Sequence, residues 1–323
     1  MPRYRVPDHL ICLGQGGVEV GKTFMQQDWI LEEVLRDDPR DDAPDEDQQS
    51  LHAFFIDTDD STLPRGMDTD VERRVDRIES EYDLVNAPDI DATTINVASG
   101  PHERYLTAER VVGETTINEL AASQGLKAWW LERGNSDILG PLDGLTRGGV
   151  DRKRGLTKAI SRISEWKSDP LSDVEQSIGG QNESMVAIVV GLGGGTGSGL
   201  FLDLARRIKQ AGATVTLFGV LPTPSGRDDD DVLANAYSAL SELEYLALSK
   251  ENYFRNILLL PYDLSIDDDI FDKAATYTIT SYYNLSNDQT NTFGKMDETD
   301  DQVGPPTYAP FTIASTGYLH YLK

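Results

Sequence analysis

Two glycine-rich stretches carry residue types and spacings that bind phosphate. From Gly16 to Thr23 the sequence spells G-x-x-x-x-G-K-T, after the apolar run "HLICLG" and before the helical pattern "FMQQDWILEEVL". In a P-loop of that form, backbone N–H groups wrap the phosphates, Lys22 would reach the β/γ oxygens and Thr23 would hold Mg²⁺. Read from Gly14 instead, Gly14, Gln15, Gly16 and Gly17 form a glycine loop that needs no lysine. The second stretch, "VAIVVGLGGGTGSGLFLDLA", runs from strand to helix through Gly191, Gly193, Gly194, Gly195, Thr196, Gly197, Ser198 and Gly199. Glycines this dense let a backbone approach an anion closely, and the helix N-terminus adds free N–H groups and partial positive charge. A plain strand–helix turn needs one or two glycines, so the second stretch is the more specific signal. Between the two, "FFIDTDD" places Asp57 and Asp59 after an apolar strand, where carboxylates can serve a metal ion.

The elements that must hold these loops are short apolar runs bounded by turn residues: "HLICLG", "LHAFFID", "TTINVASG", "MVAIVVGLGGG", "ATVTLFGVLP", "RNILLLP" and "PFTIAST". Several are rich in Val, Ile and Phe without period-two alternation, as in parallel strands buried on both faces. Helical patterns lie between them. From Gly199 to Ala211, Leu200, Leu204 and Ile208 form one stripe, with Arg206, Arg207 and Lys209 near the C-terminal end, where the helix dipole favours cations. The expected fold is therefore α/β: a doubly wound, mostly parallel sheet with helices on both faces. Residues 36–50 read as an acidic loop, and 103–134 as a helical insertion whose Trp129 and Trp130 pack onto the domain.

The chain has 323 residues and a formal net charge of −26. That field repels nucleic acid and anionic membrane surfaces, and acids spread over the whole chain read as a surface suited to high salt, as in halophiles. Cys12 is the one cysteine, so no intrachain disulfide can form. The four histidines show no metal-site spacing. No signal-peptide pattern and no apolar run of membrane-spanning length are present, so the expectation is a cytoplasmic protein without direct membrane insertion.

"GGGTGSG" resembles the glycine-rich signature of the tubulin/FtsZ superfamily, whose loop cradles nucleotide phosphates, and further stretches follow in the family's order. "GQGGVEVG" is similar to its first loop, which would leave Lys22 and Thr23 in the helix. "FIDTDD" falls at the second loop, which implies that Asp57 and Asp59 lie near Mg²⁺ and the phosphates. "LTRGGVDRKRG" resembles the third loop through Gly148 and Gly149. "LPTPSGRDDDD" falls at the ribose loop, with Arg227 set against a family Arg and Ser225 or Asp228 in place of the family acid. "LLLPYDL" is similar to the strand that ends at the base, with Tyr262-Asp263 for the Asn-Asp of FtsZ. Phe271 would open a central helix over about 269–290 and stack on the base. The guanine-reading Asp of FtsZ is replaced by Ala275, and Asn284 is the remaining candidate. After the helix, "KMDETDD" offers Asp297 and Asp300 at the D-x-x-D spacing of the family's catalytic loop.

The resemblance implies a nucleotide-binding domain over 1–295. Residues 296–323 would hold the catalytic-type loop and the first strand of a largely absent second domain. It also implies GTP/GDP and Mg²⁺ as ligands, and hydrolysis by Asp297 and Asp300 acting in trans on head-to-tail self-association. Two alternatives stay open: a partition-type P-loop ATPase using Lys22 and Thr23, and a tubulin-like scaffold that binds nucleotide without turnover. A Rossmann dinucleotide site is disfavoured, because no uninterrupted G-x-G-x-x-G follows the first strand.

Overall fold

The computed structural model describes residues 5–35, 50–83, 89–99, 150, 152, 154–155, 157–158, 160–161, 169–179, 184–223, 230–248, 253–262, 267–285 and 312–313. Within them the seven apolar runs become seven strands: β1 (His9–Leu13), β2 (Leu51–Asp57), β3 (Ile90–Asn96), β4 (Met185–Gly191), β5 (Thr214–Leu221), β6 (Asn256–Pro261) and β7 (Thr312–Ile313). They form one sheet in the order β3-β2-β1-β4-β5-β6-β7, with every neighbouring pair parallel. The helices are α1 (Gly14–Met25), α2 (Asp28–Leu35), α3 (Met67–Tyr82), α4 (Ser172–Gly179), α5 (Thr196–Gln210), α6 (Asp230–Leu248) and α7 (Asp268–Tyr283).

The central strands lack alternation because both faces of the sheet are covered. On β1, Ile11 and Leu13 face a core built with Val174 of α4, Leu200 and Leu204 of α5 and Leu243 of α6. Leu10 and Cys12 face the opposite core, with Val18 of α1, Leu31 of α2, Val71 of α3 and Ile279 of α7. The edge strand β3 does alternate, with Ile90, Ala92 and Ile95 buried and Asp91 and Thr94 exposed or half-exposed. The doubly wound α/β expectation is thus met.

Three details differ from the sequence expectation. The stretch "GQGGVEVG" is helix from its first residue, because Gly14 starts α1 directly after β1 with no intervening loop. Helix α3 lies in a stretch taken as inserted material; Met67, Val71 and Ile78 anchor it and charges cover the rest. Thr312–Ile313 pairs with β6 as a seventh strand of the same sheet; the rest of 296–323, the acidic residues 36–49 and the 103–134 stretch lie outside the described residues.

Candidate functional site

Strand order reverses between β1 and β4, which lead away in opposite directions. In open parallel sheets, ligands bind at such a switch point, beyond the carboxyl ends of the strands. A cleft of about 280 Å³ lies there, close to the lower end of the roughly 300–1,000 Å³ usual for small-molecule sites. Its lining draws Gly14, Gln15 and Gly16 from the start of α1, Asp57, Thr58, Asp59 and Thr62 from the end of β2, and Gly191 and Gly194 to Gly197 from the β4–α5 turn. Val150 and Arg152 complete it.

The two glycine stretches touch each other through backbone. Gly14 sits at φ +66°, a left-handed conformation, and a Cβ there would stand 2.8 Å from the Gly197 nitrogen. In return, a Cβ on Gly197 would stand 2.7 Å from the Leu13 carbonyl oxygen. Gly17 packs against Val189 of β4, where a Cβ would overlap the carbonyl oxygen. A hydroxyl pair, Thr58 Oγ1 and Thr196 Oγ1 at 2.8 Å, ties the β2 turn to the β4–α5 turn. Ser198 is buried, and its hydroxyl donates to the Gly194 carbonyl. Gly193 faces Val232 of α6, and Gly199 faces Thr157, so these two serve packing.

Asp57 is almost fully buried. Its Oδ1 accepts the Thr58 N–H at 2.7 Å and its Oδ2 the Thr62 hydroxyl at 2.6 Å. Asp59 is half-buried and its Oδ1 accepts the Ser61 N–H at 2.8 Å. Both carboxylates are thereby oriented by neighbours in their own turn, and Thr62 joins the two, since its hydroxyl also lies 2.8 Å from the Asp59 carbonyl oxygen.

The charge pattern around the cleft is selective. Helices α2, α3, α4, α6 and α7 each carry acids in the first turn: Asp28; Asp68 and Asp70; Asp173 and Glu175; Asp230 and Asp231; Asp268 and Asp269. Helices α1 and α5 carry none, and neither start has a side-chain cap. Acids elsewhere complement the positive helix ends; at the cleft two such ends converge with their N–H groups uncommitted to any acid, which is the arrangement that receives an anion.

Residues 149–290 match the family model described as "Tubulin like". The chain is tubulin-like. Among solved structures, similar ones are CetZ from Methanosaeta thermophila (12% identity, TM-score 0.44, covering 86% of this chain and 53% of that one), a GTPγS-form protofilament of TubZ from Bacillus thuringiensis serovar israelensis (13%, 0.41, 85% and 55%) and TubZ of Clostridium botulinum phage c-st (14%, 0.43, 88% and 63%). This chain therefore spans between 53% and 63% of the length of those proteins. No curated protein matches it in sequence.

In the tubulin-like chain the P-loop alternative fails on geometry. Lys22 lies in the third turn of α1, does not line the cleft, and its Nζ pairs with Glu19 at 2.7 Å. Gly21, the second glycine of that motif, is a packing residue: a Cβ would collide with the Cys12 sulfur. Asn284 is also a correction. It caps the C-terminal end of α7 and binds Arg5 ahead of β1, at the sheet edge opposite the cleft. With its amide also donating to the Thr280 carbonyl at 2.6 Å, it is a fastener and cannot read a base bound at the switch point. Ala275 is fully buried in α7.

Tyr262 and Phe271 pack edge to face with ring centroids 5.0 Å apart, the Tyr262 hydroxyl donates to Asp268, and Phe271 is buried. They are not among the residues lining the cleft. Gly148, Gly149, Ser225, Arg227, Asp297 and Asp300 lie outside the described residues. Sequence reasoning passed over Thr58, Thr62 and Arg152 as site residues. Thr58 sits inside "FIDTDD" and Arg152 inside "LTRGGVDRKRG", so the motif was visible while the contributing side chain was not.

Proposed function

We propose that this chain binds GTP and GDP with Mg²⁺ at the switch-point cleft, as a tubulin/FtsZ-like cytoskeletal GTPase. On head-to-tail self-association, Asp297 and Asp300 of one copy reach the terminal phosphate held by the next. The observation that carries the reading is the pair of acid-free helix starts, α1 and α5, converging on the cleft of a protein with net charge −26. Backbone N–H groups of Gly14 to Gly16 and Gly194 to Gly197 face the phosphates; no lysine is used.

Asp57 and Asp59, with the Thr58 and Thr62 hydroxyls beside them, are a hard-oxygen set of the kind that holds Mg²⁺ directly or through water. The ion, when bound, neutralises charge on the phosphate oxygens. Phosphoryl transfer relies on positioning and electrostatics rather than covalent chemistry, so the chain's own tasks are to fix the phosphates on backbone dipoles and to exclude competing geometries. Carboxylates delivered by a neighbour would orient the attacking water. A head-to-tail contact that does not close generates a filament.

The test is titration with GTP and ATP at high salt, with turnover followed against protein concentration. The reading expects preference for GTP and a rate per chain that rises with concentration. Asp297→Asn and Asp300→Asn should spare binding and slow turnover. A rate per chain independent of concentration would remove catalysis in trans. Binding without turnover at any concentration would leave a scaffold.

A further inference from the structure

The structure assigns Arg152 as the cation that binds the nucleotide's phosphates in this cleft, an inference that rests on the phosphate-binding reading above. Among the described residues lining the cleft, Asp57 and Asp59 are the two acids and Arg152 is the one base. A nucleoside triphosphate adds several negative charges to those two carboxylates. Helix dipoles and a metal ion meet part of that charge, and a guanidinium, permanently charged and able to fork onto two phosphate oxygens, is suited to meet more.

Arg152 is placed there by its surroundings. Its backbone has φ 60°, the left-handed region that non-glycine residues seldom occupy. The Asn235 side chain of α6 donates to the Arg152 carbonyl at 2.7 Å and also approaches the Gly193 carbonyl at 3.2 Å, bridging this segment to the glycine turn. On the other side, Gly195 abuts the Arg152 backbone so closely that a Cβ would stand 2.8 Å from its carbonyl carbon. Two residues on, Arg154 Nε donates to the Ser198 carbonyl at 2.9 Å, and its guanidinium pairs with Glu242. The segment is thus fastened to α5 and α6, while the Arg152 side chain itself is exposed. A strained backbone held by an asparagine, with an exposed cation at a cleft of two acids, is an arrangement that packing alone does not require.

Glycine is the informative substitution, because it suits φ 60° better than arginine and removes only the side chain. Arg152→Gly in this chain should keep or raise the thermal midpoint. Affinity for GTP with Mg²⁺ should fall roughly 10- to 100-fold, the range of a hydrogen bond to a charged group, and affinity for GDP should fall less. Arg152→Lys should recover part of the GTP affinity. Equal GTP affinity in wild type and Arg152→Gly would overturn the assignment while leaving the site intact. If the unsubstituted chain binds neither nucleotide, the phosphate-site reading itself falls and this inference with it. A lowered midpoint in Arg152→Gly together with no recovery by Arg152→Lys would mark the residue as structural and also overturn it.

Discussion

At the scale of single residues, the distinction that matters is between groups aimed at the cleft and groups spent on the fold. Lys22 belongs to the second kind, paired with Glu19 on the flank of α1. Lys22→Ala should therefore change nucleotide affinity by no more than about 2-fold and stability by under about 1 kcal/mol, the scale of a part-exposed ion pair. A calorimetric titration showing loss of binding would restore the P-loop. Asp272 on α7 shows the cost of acid crowding. Burial pushes its carboxyl up to about 7, and the Glu19, Asp268 and Asp269 charges add to that, with Lys22 opposing. A carboxyl whose folded pKa is raised contributes stability below its unfolded pKa and loses it as pH rises through the folded value. Asp272→Asn should thus stabilise the fold by about 1–2 kcal/mol at pH 8, after allowance for solvent screening, and by little near pH 4. Denaturant unfolding at the two pH values reads this directly.

At the scale of elements, the glycines define where helices may sit on the sheet. Gly14, Gly17 and Gly197 have no room for a Cβ because β1, β4, α1 and α5 meet backbone to backbone. The glycine density of "GGGTGSG" thus has two sources: close packing accounts for Gly193, Gly195, Gly197 and Gly199, and Gly194 is left exposed at the cleft. Gly17→Ala should cost about 1–3 kcal/mol despite the better helix propensity of alanine, since the new methyl meets the Val189 carbonyl. It should weaken nucleotide binding as well, because α1 must shift at the end that lines the cleft. A thermal midpoint equal to wild type would show that α1 is seated more loosely than described. Glu242 fastens α6 to the same region: burial acts to raise its carboxyl, and hydrogen bonding from Arg154 with the Lys158 charge outweighs this and holds it below its ordinary value.

At the scale of the whole molecule, the net charge of −26 is a field that the fold must tolerate. Self-repulsion among exposed acids falls as salt shortens the screening length, from about 10 Å at 0.1 M to about 3 Å at 1 M. The thermal midpoint should rise on going from about 0.1 M to about 1 M KCl. A flat or falling midpoint would mean that the acids are already locally compensated. Against that background the acid-free starts of α1 and α5 stand out, since the other helices with a described first turn carry acids there. The same field makes phosphate binding depend on local dipoles and on Arg152 rather than on any long-range attraction.

The sequence by itself determined the class of fold and the kind of chemistry. Strands buried on two faces must be continuously apolar, so "HLICLG", "LHAFFID" and "MVAIVVG" read as parallel strands, and all seven such runs form the sheet. Dense glycines at a strand–helix junction pointed to phosphate, and the acids of "FIDTDD" to a metal. What tertiary structure alone decided is which residues share the site. The order β3-β2-β1-β4 brings turns far apart in sequence to one sheet edge, uniting Gly14, Asp57, Arg152 and Gly194. It turns Lys22 along a helix flank and sends Asn284 to the opposite edge, because α7 crosses the full depth of the sheet before it ends. Periodicity along a chain reports which faces are buried; it does not encode which strand ends become neighbours, and that neighbourhood builds the cleft.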